Sequence, residues 1–234
     1  MEKKHTKLLI LGSGPAGYVA AIKTAQLGQS VSIIEKEDVG GVCLNWGCIP
    51  SKSLLKNAEL LNEMKNPDEW GFSFKEFKAD ISKAIDRSRE VSKKLTQGIE
   101  FLVKKNKIDL VMGTAQLTSS TNVKVGENSY TAGNIIIATG AKPRSLPSLE
   151  IDKKLIITSR EALELRNKPK SIAIIGASAI GCEFAYFFNA YGVEITLFEI
   201  MDRIVPKEDS DISKELQRQF TKQGIICNTS SSIT

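Results

Sequence analysis

One structural unit occurs twice in this chain, at a spacing of 164 residues. In the first copy an apolar strand, Lys7–Leu11, leads into the turn Gly12-Ser-Gly14-Pro-Ala-Gly17. A helix over Tyr18–Leu27 is stopped by Gly28, and a strand over Val31–Ile34 ends at Glu35. In the second copy a strand over Ser171–Ile175 leads into a turn from Gly176 to Gly181. A helix over Cys182–Tyr191 is stopped by Gly192, and a strand over Val193–Phe198 ends at Glu199. The acidic residue follows the first glycine by 23 positions both times, 12 to 35 and 176 to 199. A single G-x-G-x-x-G turn is weak evidence. Two copies, each inside a strand–turn–helix–strand unit with a terminal acid, restrict the chain to an α/β fold with two Rossmann-like dinucleotide-binding domains.

The glycines have distinct tasks in such a turn. Gly12 makes the turn, Gly14 leaves room for phosphates, and Gly17 lets helix and strand pack, so that backbone N–H groups approach a pyrophosphate. Glu35 would accept hydrogen bonds from the adenosine ribose. The second copy carries Ser178 where the middle glycine belongs. A side chain there crowds the pyrophosphate, although its hydroxyl can also donate to it. Glu199 favours NAD over NADP, because a carboxylate repels a 2′-phosphate. Two such folds imply two cofactors, one passing electrons to the other.

Between the copies lies GGVCLNWGCIPSK, Gly40 to Lys52, which holds two of the four cysteines. A zinc site needs about four ligands; His5 is the only histidine and Cys182 and Cys227 form no second close pair, so no metal site is expected. Two unrelated buried thiols would not account for Gly40, Gly41, Gly47 and Pro50 around them. A redox pair does. Helical residues five apart have Cα atoms roughly 8 to 9 Å apart, and a disulphide needs less than about 7 Å. Closure therefore requires backbone wound off-helix, which Asn45 and Gly47 permit. A helix starting near Cys48 or Pro50, with Lys52 nearby, would favour thiolate.

The Cys segment continues as a helix to about Lys65, followed by a loop at Asn66-Pro67. An amphipathic helix is predicted over about 79–105, with Ile81, Ile85, Leu95, Ile99 and Leu102 as its apolar stripe. Lys83, Arg87, Arg89, Lys93, Lys94, Lys104, Lys105 and Lys107 read as its solvated face rather than a nucleic-acid patch, since no aromatic residues interleave with them. Strands are predicted at 109–112, 122–125 and 134–138, and a last helix at 210–223 before a short apolar strand. Thr139–Arg144 and Pro147 read as a linker, which places the domains at 1–148 and 149–234. No apolar run approaches membrane-spanning length. The N-terminal stretch lacks a signal core, so a cytoplasmic protein with no membrane partner is expected.

With these motifs in hand, LGSGPAGYVAA, GGVCLNWGCIPSK and IGASAIGCEFAYFF resemble the dihydrolipoamide dehydrogenases, a branch of the FAD-dependent pyridine nucleotide–disulphide oxidoreductases. The resemblance covers the whole chain. It implies that Cys43 exchanges with the dithiol substrate and Cys48 lies against the flavin as the charge-transfer thiolate. Lys52 would sit near the flavin, paired with Glu183. Gly12, Gly14, Gly17, Glu35 and Gly41 would hold FAD, with Ala115 and the Thr139-Gly140-Ala141 turn beside it. Gly176, Ser178, Gly181, Glu183 and Glu199 would hold NAD. The implied reaction passes electrons from dihydrolipoamide through the Cys43–Cys48 disulphide and FAD to NAD⁺. The implied partners are the lipoyl group of a 2-oxoacid dehydrogenase or glycine cleavage complex and a second copy of the enzyme. Members of this family run to about twice this length and take a His–Glu base from a C-terminal dimerisation domain. A chain ending here is expected to be an N-terminal half with an incomplete NAD domain, and two alternatives stand beside the full activity. One is a catalytically incompetent cofactor-binding fragment; the other is the same part of a mercuric-reductase-like flavoenzyme, which shares a similar cysteine block.

Overall fold

The computed structural model describes residues 3–147 and 149–232. The expected boundary between 148 and 149 falls at Ser148, outside the described residues. The chain forms two compact units that are not contiguous in sequence: Met1–Pro50 with Arg89–Arg144, and Ser51–Ser88 with Ser145–Thr234.

In chain order the first unit runs β1 (Lys3–Leu11), α1 (Pro15–Gln26), β2 (Val31–Glu35) and α2 (Gly41–Asn45). Helix α3 (Cys48–Met64) and helix α4 (Ile81–Lys105) each belong partly to both units. The first unit then continues with β3 (Asp109–Met112), β4 (Ala115–Leu117), β5 (Asn122–Val125) and β6 (Asn128–Ile137). These strands make one sheet in the order β3-β2-β1-β6-β5-β4, parallel across its first four members and antiparallel at β5 and β4. Strand alternation sends Ile10 and Ile33 to one face, where Ala21 and Val103 cover them, and Leu9, Leu11 and Ile34 to the other, with Val123 and Val125.

The second unit holds α5 (Ser159–Ala162), β7 (Ser171–Ile175), α6 (Ala179–Ala190), β8 (Glu194–Phe198), α7 (Ser210–Lys222) and β9 (Ile226–Asn228). Its three strands are parallel, in the order β7-β8-β9. The sequence repeat is a register repeat as well. Leu8 pairs with Val31 and Ile172 with Ile195; adding 164 to the first pair yields the second.

Both repeat helices start three residues earlier than expected, at Pro15 and Ala179. Proline is compatible with the first helical turn, where its missing N–H has no intrahelical partner to lose. The extra turn puts Gly17 and Gly181 inside their helices. Strand β6 starts at Asn128 rather than Asn134, because β1 extends back along it and pairs His5 with Thr131.

Helix α4 follows its predicted range, but its buried stripe differs from the expected one. Leu95 is 42% exposed, whereas Ser88 and Ser92 are almost wholly buried. Small hydroxyl residues hold the middle of the stripe, and Ser88 satisfies its own by donating to the Ile85 carbonyl at 2.7 Å. In the second unit α6 supplies Phe184, Phe187 and Phe188, packed with Leu54, Ala58 and Ile85 in one core. Tyr191 donates to Asn57 Oδ1 at 2.5 Å, and Asn62 donates to the Tyr186 hydroxyl at 3.3 Å. These contacts assign the 51–88 segment to the second unit. Among the described residues, no helix is long and apolar enough to cross a membrane.

Candidate functional site

Parallel strands end at a common sheet edge, so β1, β2 and β6 bring Gly12, Glu35 and Thr139 together. Gly12 (φ +102°) packs so closely that a Cβ on it would strike the Ala138 carbonyl oxygen and lie 3.3 Å from Thr139 Cα. A Cβ on Gly17 would strike the carbonyl oxygen of Gly12, and one on Gly181 the carbonyl oxygen of Gly176. Gly14 caps α1 and Ser178 caps α6, both with extended backbone, no side-chain cap bond and no acidic residue in the following turn. Among the described residues, the first turns of both helices therefore have no side-chain cap acceptor, the arrangement that accepts a phosphate. Ala115 opens β4 half-buried, and Thr139, Gly140 and Ala141 follow β6 as exposed irregular backbone.

The terminal acids are bound inward. Glu35 Oε2 accepts from the Ser13 N–H and hydroxyl, both at 2.8 Å, and Oε1 accepts from the N–H groups of Lys36 (2.7 Å) and Glu37 (2.9 Å). Burial pushes this carboxyl up, but the hydrogen bonds from Glu37, Ser13 and Lys36 outweigh it and hold it below its ordinary value. A carboxylate has about four acceptor positions, so a ribose hydroxyl must displace one of these donors. The rotatable Ser13 hydroxyl is the one that yields at least cost. Glu199 has more room: Oε2 accepts from the Ala177 N–H at 2.8 Å and Oε1 from the Met201 N–H at 3.0 Å. Ser13 was not singled out in the sequence, although it stands between the first two motif glycines.

The cysteines lie on either side of a helix break. Cys43 is in α2, the helix stops at Trp46–Gly47, and α3 begins at Cys48. Gly41, at the start of α2, rests on the first glycine turn: a Cβ on it would lie 2.8 Å from Gly14 Cα. Cys43 is half-buried, Cys48 is exposed, and both are free thiols, near enough for Cys48 to perturb the Cys43 thiol. Burial first, then the adjacent Cys48 thiol, push the Cys43 thiol up to about 11. This corrects the expectation that the helix terminus and Lys52 favour thiolate, at least for Cys43, where lost hydration dominates. Tyr18 on α1 shares the environment; burial, then Cys43 and Cys48, hold its hydroxyl above the ordinary value. In the reduced protein, alkylation of Cys43 by iodoacetamide is expected to rise about tenfold per pH unit between pH 7 and 10, as the thiolate fraction grows. A rate already flat at pH 8 would contradict it.

Asn45, Arg89 and Thr96 hold the loop between the cysteines, and of these Thr96 went unnamed in the sequence. Asn45 Nδ2 donates to the carbonyls of Val39 (2.9 Å) and Gly41 (3.0 Å), and its Oδ1 accepts from Thr96 of α4 at 3.0 Å. Arg89 of α4 donates to the Asn45 carbonyl at 2.6 Å and lies over the Trp46 ring, 4.5 Å from its centroid. Arg89 is thus not part of a solvated face. Arg87 is exposed but donates to Ser53 at 2.9 Å.

Lys52 and Glu183, 131 residues apart in sequence, form an ion pair within the second unit. The Lys52 side chain is 63% exposed, so the pair adds little to stability. Cys182 and Cys227 belong to the second unit's core. Burial raises both thiols, Cys182 to about 12, which keeps them protonated and unreactive. An open polar groove between Lys4, Gln29, Lys107 and Asp109 lies at the strand-start edge of the first sheet and contains none of the candidate residues.

Two glycine turns of this geometry and a dithiol loop seated on one of them define an α/β dinucleotide-dependent oxidoreductase. Residues 6–234 match the family model described as pyridine nucleotide-disulphide oxidoreductase, and the chain belongs to that family. It is 47% identical over 221 residues to the dihydrolipoyl dehydrogenase of Chlorobaculum parvum, covering 92% of this chain and 47% of that protein. Against the dihydrolipoyl dehydrogenase of Acholeplasma laidlawii it is 43% identical, covering 95% of this chain and 68% of the relative. Among solved structures, LpdA of Mycobacterium tuberculosis superposes with a TM-score of 0.86 at 25% identity, covering 96% of this chain and 51% of that one. The HOCl-induced flavoprotein disulphide reductase RclA of Escherichia coli superposes with a TM-score of 0.83 at 28% identity, covering 97% and 49%. The chain spans about half the length of most relatives it matches.

Proposed function

We propose that this chain carries the dithiol and nucleotide-binding parts of an NAD-dependent dihydrolipoamide dehydrogenase. The observation that carries the reading is the seating of the cysteine loop on the first glycine turn, Gly41 against Gly14. Two thiols near each other beside a phosphate-accepting turn suit electron exchange with a dinucleotide. In the oxidised state a thiolate of dihydrolipoamide attacks Cys43 Sγ, the Cys43–Cys48 bond breaks, and Cys48 leaves as thiolate. The second lipoyl thiol, after losing its proton, attacks the mixed disulphide and releases Cys43. Lipoamide forms, two electrons stay on the cysteine pair, and protons pass to solvent. Bound FAD, followed by NAD⁺, would supply the acceptor for that electron pair.

In this reading residues 1–148 serve FAD and 149–234 serve NAD. Gly12, Gly14, Gly17 and Gly41 approach the FAD pyrophosphate, Glu35 takes the ribose once Ser13 rotates, and Ala115 and Thr139–Ala141 flank the flavin. Gly176, Ser178, Gly181 and Glu199 serve NAD, with the uncapped Ser178 hydroxyl free to donate to phosphate. Lys52, with Glu183 as counter-ion, acts beside the flavin. The partner is a lipoyl group on a carrier protein or acyltransferase, and the assembled enzyme is a homodimer. The 42–47% identity to dihydrolipoyl dehydrogenases supports this substrate over others of the family.

The half-reaction tests the reading without requiring turnover. The chain is equilibrated with lipoamide and dihydrolipoamide mixtures, quenched in acid, alkylated and mapped by mass spectrometry. Cys43 and Cys48 are expected to gain and lose two labels together as the ratio changes. Labels independent of the ratio would overturn the proposal.

A further inference from the structure

We infer that Arg89 and Thr96 are positioning residues for the Cys43–Cys48 couple, setting how readily the disulphide closes. The inference rests on the dithiol reading above. The sequence separation of the cysteines would hold their Cα atoms roughly 8 to 9 Å apart on a continuous helix, too far for a disulphide. The break at Trp46–Gly47 interrupts such a helix between the two cysteines, so whatever holds the break holds the redox geometry.

The break is held from α4. Arg89 and Thr96 are seven residues apart, two helical turns, and therefore share a face. Arg89 grips the main chain on the N-terminal side of the break through the Asn45 carbonyl, and covers the Trp46 ring with its guanidinium. Thr96 orients the Asn45 amide, which ties Val39 and Gly41 to the same point. On the far side Trp46 Nε1 donates to Asp38 Oδ2 at 2.9 Å. A flat guanidinium can stack and donate in its own plane at once, which an ammonium cannot. The helix would otherwise gain a hydrogen bond for each residue it recovered across the break. The brace opposes that rewinding and keeps the thiols adjacent, which raises the effective concentration of one sulphur at the other.

The sign follows. Loosening the brace lets the dithiol relax apart and costs the disulphide more than the dithiol. In the lipoamide equilibration, Arg89→Leu is expected to shift the balance toward dithiol by about tenfold, ~30 mV for a two-electron couple. Thr96→Val is expected to shift it the same way by about threefold, the scale of one neutral hydrogen bond. Circular dichroism and a melting curve accompany each variant. A lowered melting temperature with an unchanged balance in both variants would show a purely structural role and overturn the inference. Should Arg89→Leu fail to fold, Thr96→Val and Trp46→Phe decide by the same readout. Failure of the unaltered chain to cycle would overturn the dithiol reading instead, so the two failures are distinguishable.

Discussion

Serine at either Cys43 or Cys48 is expected to slow exchange with lipoamide by on the order of a thousandfold or more, as removal of a nucleophile commonly does. The two variants differ in what accumulates. With Cys48→Ser, Cys43 can still open lipoamide to a mixed disulphide, which only the second lipoyl thiol can release, so rapid acid quenching is expected to trap it as one added mass. With Cys43→Ser, the thiol proposed to exchange with the lipoyl group is gone and little adduct forms. The Cys43 thiol is raised by burial and then by Cys48, so Cys48→Ser also moves its alkylation profile to lower pH. The opposite adduct pattern, heavy on Cys43→Ser and absent on Cys48→Ser, would exchange the roles of the two residues. The exposed position of Cys48 makes that a fair test.

Alanine at Gly17 or Gly181 is expected to cost about 3 kcal/mol, the upper part of the overpacking range. The new Cβ would meet the carbonyl group of Gly12 or Gly176, which is backbone and has no rotamer through which to withdraw. Gly28→Ala is the control. Gly28 has φ +76° but no heavy atom within 4 Å of a new Cβ, so only the left-handed penalty of about 1 to 2 kcal/mol applies. Urea denaturation midpoints at constant slope measure both. A Gly17→Ala protein no less stable than Gly28→Ala would show that strand and helix can part at this turn. The comparison also separates two reasons for glycine, close approach and backbone angle, that look identical in a sequence.

Much of the first and second repeats was legible because their determinants are local. Hydrophobic runs, glycine positions and the 23-residue step to Glu35 and Glu199 specify strand, turn and register within about thirty residues. The helix break between the cysteines was legible for a similar reason, since disulphide geometry and helical rise conflict over five residues. Helix α4 was legible in extent but not in its inner face. Ser88 and Ser92 occupy core positions that a hydrophobicity pattern passes over. Arg89 was read as a surface charge, because no linear pattern says that an arginine lies over a tryptophan 43 residues earlier.

The sequence alone determined that this chain is a doubled dinucleotide-binding α/β protein with a paired-thiol loop, because those features follow from spacing and the sterics of glycine. Only the tertiary structure decided which surfaces those elements share. It drew the 51–88 segment to α6, where Phe184, Phe187 and Phe188 need an apolar cover that Leu54, Ala58 and Ile85 supply. It turned Glu35 inward onto Ser13, Lys36 and Glu37, and it set Arg89 and Thr96 against the cysteine loop. Local sterics act between neighbours along the chain, whereas the choice among apolar faces and hydrogen-bond partners is made by the whole packed chain at once.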